Sequence, residues 1–220
     1  IKKPTGQRAS ADFILDETKE GFDIKEFKLN IGNLQSVGSA RLASDFSELL
    51  LASSNNTKLG KGRFGFVYKK DDKNRYLDIN GYALDLSEAS FKIPASEIDK
   101  SDNGKKKQAN LGLIVKAKLK SIFLKNGRNL HRPVLEVKCD KERCNKIVLD
   151  GGFDDNSYLT LNMNYPVFSL SSNDAGQVAS AFGISTRLNK GELNLFGKYD
   201  QGVFKGNLNI EEYYLKKAPM

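Results

Sequence analysis

Tryptophan is missing from the 220 residues, and histidine occurs once, at His131. A lone imidazole on a polar stretch supports no Ser-His-Asp or Cys-His arrangement. Cys139 and Cys144 are the only cysteines, and two thiols without neighbouring ligands make a poor zinc site. No run approaches the roughly 20 apolar residues that span a bilayer as a helix, and no secretory signal is present. Neither a phosphate-cradling glycine loop nor a dinucleotide fingerprint occurs. Asp71-Asp72 and Asp154-Asp155 are adjacent acids in turn-forming stretches. Neighbours in extended chain point apart, which suits neither a shared proton nor a metal cage. No catalytic residue, cofactor or metal site is assigned, and the chain reads as non-enzymatic.

What the chain does have is alternation. Hydrophobic content is 39% and charged content 28%, which is enough for a core and too apolar for a disordered chain. Leu113, Val115, Ala117 and Leu119 alternate with Lys116, Lys118 and Lys120. Leu159, Leu161 and Met163 alternate with polar residues, as do Leu193 and Leu195, then Leu208 and Ile210. Period-two patterning marks strands with one apolar and one wet face. Roughly a dozen such segments joined by short polar turns predict an all-β, mainly antiparallel sheet.

The apolar phase slips by one residue at Lys25-Glu26, between Ile24 and Phe27, as a β-bulge requires. It slips again at Glu211-Glu212, between Ile210 and Tyr213, which suggests one unit used twice. The predicted units are residues 1–91 and 111–220, separated by a polar loop or linker at 92–110. Ser54 to Thr57 reads as a turn. Ser172 to Gly183 predicts the one short helix, capped by Ser172, with Val178, Ala181 and Phe182 as its apolar side. Cys139 and Cys144 flank a hairpin mouth, where a disulfide and two unpaired thiols both fit.

Net charge is +8, which attracts phosphate on either lipid or nucleic acid. Lys61-Gly62-Arg63-Phe64-Gly65-Phe66-Val67-Tyr68 resembles the aromatic strand of an RNA-recognition motif. Arg63 interrupts that pattern, and no amphipathic helices flank it, so buried aromatics on a strand are the simpler reading. Nucleic acid is not expected as a partner.

The series Leu170…Asn173-Asp174-Ala175-Gly176…Phe182-Gly183-Ile184…Gly191-Glu192-Leu193-Asn194-Leu195…Gly206-Asn207-Leu208-Asn209-Ile210…Leu215…Ala218-Pro219 resembles the C-terminal region of the AsmA-like family. These are bacterial envelope proteins grouped with TamB and YhdP. Gly81-Tyr82-Ala83-Leu84-Asp85-Leu86-Ser87 resembles the segment that closes the preceding unit. Asn173 departs from the pattern, in which an acidic residue is expected. The resemblance implies a curled, open β-groove with an apolar floor that shields phospholipid acyl chains between the inner and outer membranes. It also implies a periplasmic location, an inner-membrane tether in parts of a longer parent, and contacts with other envelope proteins. The expected floor is Leu113, Val115, Ala117, Leu119, Leu159, Leu161, Met163, Leu193, Leu195, Leu208 and Ile210. Two other readings stay open: an envelope scaffold that carries no lipid, and a basic nucleic-acid-binding domain. Periodicity says which face is apolar, not what covers it.

Overall fold

In the computed structural model, residues 9–19, 21–88, 111–140, 143–154, 156–200 and 203–216 are described. Thirteen strands form one sheet in chain order, so every strand lies beside its sequence neighbour. The N-terminal strands are β1 (Ala9–Thr18), β2 (Gly21–Ile31), β3 (Leu34–Leu42), β4 (Leu49–Leu59), β5 (Gly62–Lys70) and β6 (Asn74–Asp85). The C-terminal strands are β7 (Gly112–Phe123), β8 (Asn129–Cys139), β9 (Cys144–Gly152), β10 (Leu159–Asn164), β11 (Val167–Ser172), β12 (Leu188–Asp200) and β13 (Val203–Leu215). All neighbours pair antiparallel except β6 and β7, which run parallel. The sheet is not closed, since β1 and β13 do not meet. The expected 92–110 linker lies outside the described residues, while the strands flanking it sit edge to edge.

The bulge at Lys25-Glu26 is present. Ile24 pairs with Ala40 and Phe27 with Gly38, leaving two residues of β2 against one of β3. The matching slip at Glu211-Glu212 has a different cause. Lys190 faces Tyr213 and Glu192 faces Glu211, so the β12–β13 register never shifts. Instead Lys190, Gly191 and Glu212 all take positive φ, side by side in the ladder.

Ser54 to Thr57 is not a turn but an interruption inside β4, where the register shifts against β5. Ser54 Oγ donates to the Val37 carbonyl (2.6 Å), Thr57 Oγ1 donates to Ser54 Oγ (2.9 Å), and Ser36 and Thr57 hydroxyls share a bond of 2.8 Å. These hydroxyls are buried, and bonding to one another is what makes that burial tolerable. Gly38 stands beside them because space there is short. A Cβ on it would strike the Ser53 carbonyl oxygen and lie 2.9 Å from the Phe27 ring.

The helix α1 (Ala175–Ala181) begins two residues later than expected, capped by Asp174 rather than Ser172. Asp174 Oδ1 accepts from the Gln177 N–H (2.8 Å), satisfying one orphan donor of the first turn. Ser172 is fully buried and donates to the Tyr158 carbonyl (2.6 Å). Gly183 ends the helix in the left-handed region, its N–H bonded to the Ser180 carbonyl (3.0 Å). Gly176 lets the helix press onto β12, since a Cβ would lie 2.7 Å from Asn189 Cα.

The fully buried hydrophobic cluster lies at one margin of the C-terminal half. Leu119, Ile122, Leu124, Leu130, Phe153, Leu159 and Leu193 pack there with Ala175, Val178 and Ala181 of α1. A 3₁₀ turn at Lys125–Gly127 is fastened to the helix by Asn126 Nδ2, which donates to the Ser180 carbonyl (2.8 Å). Among the described residues, no helix is long and apolar enough to cross a membrane.

Candidate functional site: an apolar groove

Cross-strand partners share a face of a sheet, so registers can be chained from edge to edge. One chain runs Leu15, Ile24, Ala40, Ala52, Tyr68, Leu77, Val115, Val137, Ile147, Met163, Phe168, Gly197, Gly206. All thirteen strands contribute, and none contributes a charge. A second row begins at Ser54 and continues Phe66, Ile79, Ala117, Leu135, Leu149, Leu161, Leu170, Leu195, Leu208. Most of these side chains are half-buried. No second sheet covers them among the described residues, and the curl of the single sheet supplies what shelter they have. Twelve inter-strand spacings of about 4.8 Å make this floor about 58 Å long.

The opposite face is mainly polar. One of its rows runs Asp78, Lys116, Glu136, Val148, Asn162, Ser169, Phe196, Asn207. Glu136 accepts from Lys146 (2.8 Å) and pairs with Lys138 (3.0 Å). Lys146 and then Lys138 hold its carboxyl down to about 2. Lys116, Lys118 and Lys120 are exposed on this side, with Lys120 Nζ 5.7 Å from the Tyr82 ring centre. Asp71 is a turn former, accepting from the Lys73 and Asn74 N–H groups (2.8 and 2.7 Å). Those backbone bonds lower its pKa.

All eleven expected floor residues lie on the apolar face, but in three settings. Val115, Leu161, Met163 and Leu195 are half-buried in open floor. Ala117, Leu119, Leu159 and Leu193 are fully buried in the cluster under α1, with Ile210 packed against it, so protein already covers them. Leu113 sits at the hairpin rim beside Cys139, and Leu208 lies on the edge strand at 62% exposure. Sequence reasoning left out Leu77, Leu135, Val137, Ile147, Leu149 and Leu170, although their alternation was readable. Phe64, Phe66 and Tyr68 lie on the same face as the aliphatic rows, not on a separate stacking platform.

Cys139 and Cys144 are bridged, closing the mouth of the β8–β9 hairpin. Arg143, next to the bridge, lies 4.4 Å from the Tyr165 ring centre. Asn173, where an acid was expected, uses both ends of its amide. Its Oδ1 accepts from the Tyr158 N–H (2.8 Å), and its Nδ2 donates to the Asn156 carbonyl (2.7 Å). A carboxylate could serve only the first. On the rim away from α1, Lys70 faces Arg75 in register with Leu113. Glu48 is ion-paired to Lys70. No family model matches the chain, and no curated protein or solved structure matches it either.

Proposed function

We propose that this chain is a segment of a bacterial envelope protein whose groove shields phospholipid acyl chains as they pass between the inner and outer membranes. The observation that carries the reading is the uncharged row crossing all thirteen strands on a face that no second sheet covers among the described residues. A soluble sheet that leaves such a face half-open has an unmet need for apolar contact. Each methylene exposed to water costs ~0.8 kcal/mol, so a 16-carbon chain leaving a bilayer meets a barrier on the order of 12 kcal/mol. A continuous aliphatic floor removes most of that barrier without any reactive group. The head group stays in solvent along the open side, where Arg75 stands at the rim beside the floor. The resemblance to AsmA-like proteins and the Cys139–Cys144 bridge, which suits an oxidising compartment, support a periplasmic location.

The test is native mass spectrometry of the purified chain with lipid extraction. Wild type carries phospholipid, while Leu161→Asp and Leu149→Asp lose it and keep the circular dichroism of a β-protein. Lipid-free wild type, or variants that keep their lipid, would leave the scaffold reading in its place.

A further inference from the structure

Strand β5, well inside the sheet, meets an interruption on each side, and the two fall at the same place. Ser54 pairs with Phe66 and Thr57 with Phe64, so Asn55 and Asn56 of β4 stand against Gly65 alone. Across the strand, Phe64 pairs with Gly81 and Arg63 with Ala83, which leaves Tyr82 of β6 with no partner on β5. Bulges re-aim side chains and gather beside functional sites. Arg63 and Gly65 alternate with Phe64 and Phe66, so they lie on the face turned away from the apolar floor. On that face the bulges frame a hollow of about 440 Å³ whose lining includes Asn55, Asn56, Arg63, Gly65, Asn80 and Tyr82. Gly65 forms its base, where a Cβ would lie 2.8 Å from the Ser54 carbonyl oxygen. A second hollow of about 410 Å³ adjoins the first, sharing Asn56 and Arg63 and adding Lys28 and Lys58.

The charged residues lining the two hollows are Lys28, Lys58 and Arg63, all cationic. Lys28 is paired with Glu26 (2.9 Å). Among the described residues, the side chains of Lys58, Arg63, Asn55, Asn56 and Asn80 have no hydrogen-bond or ionic partner. Lys58 stands directly opposite Arg63, and like charges so placed oppose the ladder. Positive charge continues on the far side, where Asn80 faces Lys118 and Lys120 approaches the exposed Tyr82 ring. Two residues along the same face, Asp78, Lys116 and Glu136 alternate in sign, so the excess is local to the hollows.

We propose that these hollows bind a sugar phosphate, with the phosphate on Arg63 and Lys58 and the sugar ring among Asn55, Asn56 and Asn80. A guanidinium fork matches phosphate oxygens with two parallel hydrogen bonds. A phosphate monoester carries nearly two negative charges near neutral pH, which balances two cations in register where a carboxylate would balance one. Carboxamides both donate and accept, as sugar hydroxyls do, so each can meet a ring hydroxyl in either sense. The volume is within the range of small-ligand sites. The site lies behind the floor, so it stands apart from the lipid reading and from whatever fills the groove.

The test is amide NMR of the full chain titrated with glucose 1-phosphate, AMP, glucose or inorganic phosphate. Saturable shifts at Asn55, Asn56, Gly65 and Asn80 are expected with the two sugar phosphates. Tighter binding of glucose 1-phosphate identifies a glycan source, and tighter binding of AMP a nucleotide source. Arg63→Gln should weaken binding about tenfold, since a hydrogen bond to a charged group is lost. Asn80→Ala should weaken it about fivefold, while Lys116→Gln on the neighbouring row leaves it unchanged. All three positions are exposed, and unchanged thermal unfolding confirms that the variants fold. Glucose binding as tightly as glucose 1-phosphate would overturn the phosphate site, and inorganic phosphate doing so would overturn the sugar site. No saturable shift with any probe, or equal losses in Arg63→Gln and Lys116→Gln, would overturn the proposal altogether.

Discussion

Leu77 and Val115 lie side by side across the one parallel junction of the sheet, in register and on the same face. The chain between them spans nearly forty positions, yet the apolar row passes from the N-terminal half to the C-terminal half without a break. Ile79 and Ala117 repeat the match two residues further on. The two halves therefore present one continuous surface.

Leu159 and Leu161 are two residues apart on one face of β10, but only Leu159 lies beneath α1. Leu159→Ala opens a cavity in the closed cluster and should cost about 3 kcal/mol. Leu161→Ala removes half-exposed surface and should cost about 1 kcal/mol. Urea unfolding of the two variants checks this, and equal losses would mean the floor is sealed where it is described as open.

Asp174 rather than Ser172 caps the helix, which separates the effects of substituting them. Asp174→Ala should lower stability by about 1 kcal/mol, and Asp174→Asn should restore most of it because the amide oxygen still accepts. Ser172→Ala removes a buried donor to the Tyr158 carbonyl, so its deficit should reach at least that of Asp174→Ala. Thermal unfolding of the three variants gives the comparison.

Glu136, held by Lys146 and Lys138, has a folded pKa of about 2 against an ordinary 4.5. Its contribution to stability is complete above the ordinary value and is lost as pH falls toward the folded one. Glu136→Gln should therefore flatten stability against pH between about 4.5 and 2 relative to wild type. The residue is only half-buried, so salt should shrink the difference. Unchanged slopes in acid titrations of both proteins would show that the lysines do not hold the carboxylate.

The apolar face and the bulge at Lys25-Glu26 were legible because both leave a mark on apolar phase, period two with a single slip. The same mark misled at Glu211-Glu212, where Lys190, Gly191 and Glu212 take positive φ with no register change. Ser54 to Thr57 resembled a turn because hydroxyl residues usually serve loops, but here they bond one another inside a strand. Nothing local in the sequence encodes that β6 and β7 run parallel, or that α1 lies over Leu159 and Leu193. Alternation tells which residues share a face. Coverage is decided by elements far along the chain.

The most direct test of the central claim is site-specific photo-crosslinking in cells, with a benzophenone side chain at Leu161 in one variant and at Asn162 in another. These neighbours lie on opposite faces of β10. The expected result is a phospholipid adduct at position 161 and none at 162. No adduct at 161, or equal labelling of both faces, would contradict an apolar floor that receives acyl chains.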